Sequence, residues 1–231
     1  MNKRMFVVLF AGCTTVESSD ILTSGIHADL TASSAGEGST AVSAVLYLGN
    51  PVNLNFVDLT GDDELVASNG GQSKVMSELI VLNIVNHHAT FQTDDEGQEF
   101  SIDFQRSVDN GAPDSTVTLP AKFTLTGPTA ATSRAAAISL DWSPAGSPDD
   151  MAWQATGDCI ELATGTISGD PGNVSLPANT LQKRMAMGTL DSCMVTISVR
   201  RSREGQLDPA YGKGGQFTGV QARTVTVMSN P

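Results

Sequence analysis

Three histidines, two acidic clusters, three cysteines and one basic stretch are the residues whose types could support chemistry in this chain. His87 and His88 are adjacent. On a strand, neighbours face opposite sides of the sheet, so the pair cannot chelate one ion together. With His27 they are also the only bases available to a Ser-His-Asp site. No Gly-x-Ser-x-Gly elbow supports such a site, and Gly165-Thr-Ile-Ser-Gly169 has the wrong spacing. There is no phosphate-binding loop and no dinucleotide fingerprint. These observations argue against an enzyme and name no catalytic residue; a secreted hydrolase is the remotest reading.

The acids concentrate at Asp58 with Asp62-Asp63-Glu64, and at Asp94-Asp95-Glu96 with Glu99. Carboxylates on a loop are hard oxygen ligands suited to calcium, so Asp62, Asp63, Asp94 and Asp95 are the metal candidates. Neither cluster has EF-hand spacing, and the surrounding turn residues favour solvated turns. No other cofactor is called for. The basic stretch, Arg200-Arg-Ser-Arg203 through Tyr211-Gly-Lys-Gly-Gly215, reads as a long Gly-rich connection between two strands. In an otherwise acidic chain it is the expected contact loop, with Arg201, Arg203, Tyr211 and Lys213 as its contact residues. Trp142 and Trp153 could stack on sugar rings, but their strand positions favour core roles.

The 231 residues carry a formal charge of −12. An acidic surface disfavours nucleic acid and anionic lipid as partners. Length suits one large domain or two of about 100 residues. The chain opens with two cations, Lys3 and Arg4, then the apolar run Met5–Ala11, then Gly12-Cys13. That order is an export signal, and the run is far shorter than the ~20 residues of a membrane span. Thr14 to Ser24 is polar and Ser/Thr-rich, as a tether is.

From Ile26 onward the chain reads as short alternating strands separated by turns. Glu99-Phe-Ser-Ile-Asp-Phe-Gln105 and Ile138-Ser-Leu-Asp-Trp142 alternate cleanly, and Asn69-Gly-Gly71 is a hairpin signal. The apolar stretch Leu79–Val85 suits a helix or a buried strand, and its β-branched content favours the strand. Leu181–Leu190 is the only weak helical candidate. Gly127–Ser133 is the expected boundary between domains. The expected fold is all-β, with an acidic sandwich over 26–127 and a second sandwich over 128–231.

Two resemblances refine this reading. Phe10-Ala11-Gly12-Cys13 resembles the bacterial lipobox, with Phe10 in place of the usual leucine. The resemblance implies a signal peptide over 1–12, cleavage before Cys13, diacylglycerol on its sulfur and a tether over 13–25. It also implies an outer-membrane destination, since no aspartate follows the cysteine. Each buried methylene adds about 0.8 kcal/mol of membrane affinity, so several acyl chains anchor a folded domain. With Cys13 acylated, Cys159 and Cys193 are left as an even pair in an oxidising compartment. Residues 135–231 resemble a fibronectin type III or immunoglobulin-like domain, with Ile138–Pro144 as its B strand. On that mapping Cys159 lies just past strand C and Cys193 opens strand F, which makes a bridge geometrically plausible. The whole layout resembles uncharacterised bacterial lipoproteins with tandem immunoglobulin-like domains. It implies a non-catalytic, lipid-anchored protein whose partners are the membrane and an envelope protein or glycan. The alternative is a carbohydrate- or calcium-dependent binding module.

Overall fold

The computed structural model describes residues 14–53, 55–81 and 84–231. The signal expected over 1–12 and the lipidation expected at Cys13 lie outside the described residues. The rest is all-β. The first half holds β1 (Thr14–Glu17), β2 (Ile26–Ser34), β3 (Thr40–Leu48), β4 (Asn55–Asp58), β5 (Glu64–Asn69), β6 (Gln72–Val75), β7 (Ser77–Val81), β8 (Ile84–Phe91), β9 (Glu99–Gln105) and β10 (Ala112–Thr118). Then come β11 (Thr124–Thr126), β12 (Thr132–Ser133), β13 (Ile138–Ser143), β14 (Asp150–Thr156), β15 (Ala163–Ile167) and β16 (Asn173–Leu176). Two long strands close the chain, β17 (Cys193–Glu204) and β18 (Gln216–Asn230). Among the described residues the only helical elements are three 3-10 turns, so Leu181–Leu190 is not a helix.

Side-chain alternation explains the layers. Phe100, Ile102 and Phe104 of β9 face inward, as do Ile138, Leu140 and Trp142 of β13. The hairpin expected at Asn69-Gly-Gly71 forms between β5 and β6, with Asn69 paired to Gln72. Its two central glycines take φ of 53° and 89°, the conformation that a type I′ turn requires and that side chains resist.

One large sheet runs β1-β4-β3-β2-β18-β17-β14-β15. A four-stranded sheet (β10-β9-β5-β6) and a three-stranded sheet (β11-β13-β16) accompany it. Two hydrophobic clusters result. The first joins β2, β3 and β8 to β5 and β9, and the second joins β14 and β17 to β13 and β16. The second cluster begins at Phe123, ahead of the Gly127–Ser133 stretch expected to divide the chain. Moreover, Tyr211 and Phe217, far along the chain, belong to the first cluster. β18 is the shared element: it pairs with β17 along one edge, and with β2 and then β12, both parallel, along the other. Phe217 at its start is buried in the first cluster and Val227 near its end in the second.

Two expectations are corrected. Residues 14–25 are not a free tether. β1 pairs parallel with β4, and Ser18 and Thr23 are buried. Their polarity is matched by Arg106, whose guanidinium donates to the carbonyl oxygens of Ser18 (2.5 Å) and Ile21 (3.0 Å) and to Thr23 Oγ1 (2.9 Å). Composition cannot show that partner. The stretch from Leu79 is strand, with Val85 of β8 buried as expected, but its first part is exposed: all five residues of β7 face solvent, because β7 extends with the start of β8 as a hairpin past β3.

β10 crosses close over β17 and β18. A Cβ at Gly205 would overlap Thr116 O, and one at Gly219 would overlap Thr118 O. Gly219→Ala should therefore lower unfolding free energy by about 1–3 kcal/mol, the usual range for overpacking. Urea denaturation checks this; an unchanged midpoint would contradict the close approach.

Candidate functional site

The basic stretch is where sequence and structure differ most. β17 does not end at Arg200 but continues through Glu204. Val195, Ile197 and Val199 face the core, and the same alternation carries Arg201 inward beside them. Arg201 is 1% exposed. Its guanidinium donates to Asp170 Oδ2 (2.6 Å), to the carbonyls of Ala121 (3.1 Å) and Lys122 (3.2 Å), and to Pro144 O, and it lies 4.8 Å from the Phe123 ring centre. Asp170 also accepts from Trp142 Nε1 (2.6 Å) and the Ser147 backbone N–H (2.8 Å). This hub ties the crossing between the clusters to the turns after β13 and β15.

Arg203 is half-buried and forms a two-pronged bridge to Asp149, Nε to Oδ1 at 2.6 Å and Nη2 to Oδ2 at 3.1 Å. Burial pushes the Asp149 carboxyl up, but hydrogen bonds from Arg203 and Ser147 outweigh it and hold the group below the ordinary carboxylate range. Tyr211 is buried and stacked on Phe104 at 6.1 Å. Burial, the largest cause, pushes its phenol pKa far up, with Asp208 adding to the effect. Arg201 and Tyr211, two of the expected contact residues, are thus buried supports, and Arg203 is held by Asp149 with part of its side chain exposed. Lys213 is the most exposed of the four.

Three of the four metal candidates also have protein partners. Asp63 is buried and takes Arg106 Nε at 3.1 Å and the Ser107 N–H at 3.0 Å. Lys122 Nζ donates to Asp94 (2.5 Å) and Asp95 (2.9 Å), and the Gly38 N–H also reaches Asp94. The Lys122 hydrogen bond holds the Asp94 carboxyl below its usual range. Asp62 is exposed beside buried Asp63, so the neighbours do not converge. Among the described residues no group of three or more His, Cys, Asp or Glu could hold a metal ion.

The histidines separate as their spacing requires. His87 is buried and His88 exposed. His27 Nε2 lies 3.2 Å from Asp29 Oδ1, with the Tyr47 ring edge-on at 5.9 Å. Cys159 and Cys193 form a disulfide with Cα atoms 5.7 Å apart, between the end of β14 and the start of β17, which are sheet neighbours. Trp142 is core, and Trp153 is half-buried across from Gly165, where a Cβ would strike the indole.

On the outer face, Arg200 points away from the core. Among the described residues it has no side-chain hydrogen bond or ion pair, unlike Arg201 and Arg203. It lines a trough of about 390 Å³ with Asp150, Ser202, Glu204, Gln216 and Thr218. A second depression shares Arg200 and is lined by Trp153 and Gln154. Alternation along β17 was the signal that could have separated Arg200 from Arg201.

No protein-family model and no curated protein matches the chain. Among solved structures it is similar to a chain of a cytokine receptor complex, at 12% identity and a TM-score of 0.30, over 88% of this chain and 95% of that one. It is also similar to the Yersinia pseudotuberculosis adhesin InvE, at 12% identity and a TM-score of 0.23, over 88% of this chain and 59% of that one. Among the described residues no helix is long and apolar enough to cross a membrane.

Arg201→Ala should destabilise the chain by about 3–5 kcal/mol, since Asp170 would stay buried without its cation. Adding Asp170→Asn should recover a large part, and Arg200→Ala should cost under about 0.5 kcal/mol. Equal effects at 200 and 201 in chemical denaturation would refute the hub.

A pH effect follows from His87. Burial, the largest cause, lowers its pKa below the ordinary 6.5, with Asp58 opposing and His88 assisting. Below pH 6.5 the unfolded chain binds a proton that the native chain disfavours, so the contribution is complete above 6.5 and is lost as pH falls toward the native pKa. Melting curves from pH 7.5 down to 5 should fall more steeply for wild type than for His87→Leu; parallel curves would exclude the effect.

Proposed function

We propose that the chain is an exported, lipid-anchored, non-catalytic interaction protein of a bacterial envelope. The observation that carries this reading is the Cys159–Cys193 disulfide, which suits an oxidising compartment and sets Cys13 apart as the third cysteine of the sequence. The lipobox-like Phe10-Ala11-Gly12-Cys13 gives that cysteine a use. The commitment of Arg106, Lys122, Arg201 and Arg203 to internal carboxylates supports a structural rather than catalytic role for the charged groups.

A second reading is favoured by the trough around Arg200. Its Asp, Glu, Gln and Arg side chains could bracket the hydroxyls of a glycan, and Trp153 lies in the adjoining depression. Quenching of tryptophan fluorescence by added oligosaccharide would favour it over a purely protein-directed role.

Replacing Cys13 by Ser should move the protein from the membrane fraction to the soluble fraction of the cells that export it. Continued membrane fractionation of the Cys13→Ser chain would contradict lipid anchoring. A pull-down from envelope membranes with the acylated chain should then identify the partner.

A further inference from the structure

We infer that the end of the large sheet from which β1 emerges rests on a lipid bilayer, with the β7–β8 hairpin and neighbouring loops dipping into its interface. The inference rests on the lipid-anchor reading for orientation, because Cys13 directly precedes Thr14, the first residue of β1.

The strand register defines this end. Ile26 of β2 pairs with Leu48 of β3, Tyr47 with Phe56 of β4, and Asn55 of β4 with Thr14. β2, β4 and β1 therefore begin, and β3 ends, at one edge of the molecule. β8 runs antiparallel to β3 and leaves it at the pair Ala44–His87. The part of β8 before His87, and its partner β7, extend toward that same edge.

Large apolar side chains gather there from separate segments. Leu79, Ile80 and Val81 on β7 are 51%, 55% and 53% exposed. Val52, in the loop between β3 and β4, is 85% exposed. Leu22 is 65% exposed, one turn before Gly25, whose carbonyl accepts from the Gly49 N–H at 2.9 Å. Val108 is 60% exposed in a loop held to Thr23 through Asp109 at 2.7 Å. Scattered exposed aliphatics need no explanation, but convergence of several loops at one end does.

A bilayer fits this surface better than a protein groove. Leu79 and Ile80 are neighbours on a strand and face opposite sides. A groove covers one side of a hairpin, whereas an interface surrounds both. The chain's charge of −12 leaves apolar contact, not attraction to anionic lipid, as the driving force. Exposed Lys213 sits beside this end, where the Gly212 N–H donates to Ile26 O at 2.7 Å, and its ammonium can reach headgroup phosphates. Depth is limited. Among the described strands β7 pairs only with β8, so its outer backbone edge needs water or headgroups and cannot enter the hydrocarbon core.

The test uses the full chain with Cys13→Ser, carrying an environment-sensitive fluorophore at Ile80→Cys or, as a control in the other half, at Met187→Cys. With phosphatidylethanolamine–phosphatidylglycerol vesicles, the probe at 80 should brighten several-fold and shift to the blue, and the probe at 187 should not. Replacing Leu79 and Val81 by Ser should weaken vesicle partition about tenfold, with little dependence on salt. A silent probe at 80, equal responses at both sites, or a response that grows with protein concentration without lipid would overturn the inference, the last by pointing to a second copy. Mass measurement of the wild-type chain separates the two ideas. An acylated Cys13 with a silent probe at 80 defeats only the interface, and a responsive probe on a chain that carries no acyl group defeats only the anchor.

Discussion

The structure depends on one strand being shared. β18 is 15 residues long and is the only described strand that pairs with β17 while also meeting β2. Each hydrophobic cluster draws a residue from it, Phe217 for one and Val227 for the other. A strand cannot slip by one residue without exchanging its two faces, so the register of β18 sets the register of both halves at once. The hub at Arg201 stands on the neighbouring strand, opposite Gln221 of β18, and ties the chain's crossing between clusters to that register.

This explains why so many charged groups are internal. Two sandwich-like layers joined by a common sheet leave backbone carbonyls at the crossing, and buried carbonyls need donors. Arg201 supplies them at Ala121, Lys122 and Pro144, and Arg106 supplies them at Ser18 and Ile21. A guanidinium, with five donors in one plane, serves several acceptors at once. Each cation is then neutralised by a buried carboxylate, Asp170 or Asp63. Removing one partner costs far more than the pair contributes, so these bridges define the arrangement more than they stabilise it.

Much of the fold was legible from local pattern. Alternation located β9 and β13 with their inward faces, and Asn69-Gly-Gly71 located a hairpin. The all-β class followed from these signals. What was not legible is non-local. Nothing in the polar run after Cys13 announces a parallel pairing with β4, because the partner that donates to its carbonyls, Arg106, lies far along the chain. Leu79–Val81 has the composition of a core strand, and only the departure of β8 from β3 leaves it outside. Arg201 was readable in principle, since Val195, Ile197 and Val199 set a phase that it continues. Its two arginine neighbours gave the stretch the look of an exposed loop.

The most direct measurement of the central claim is the mass of the mature N-terminal peptide, recovered from the membranes of the cells that make the protein. An exported, lipid-anchored chain begins at Cys13 and carries the mass of diacylglycerol, with or without a further acyl group on its amine. A chain that begins elsewhere, or whose Cys13 carries no lipid, would contradict the account.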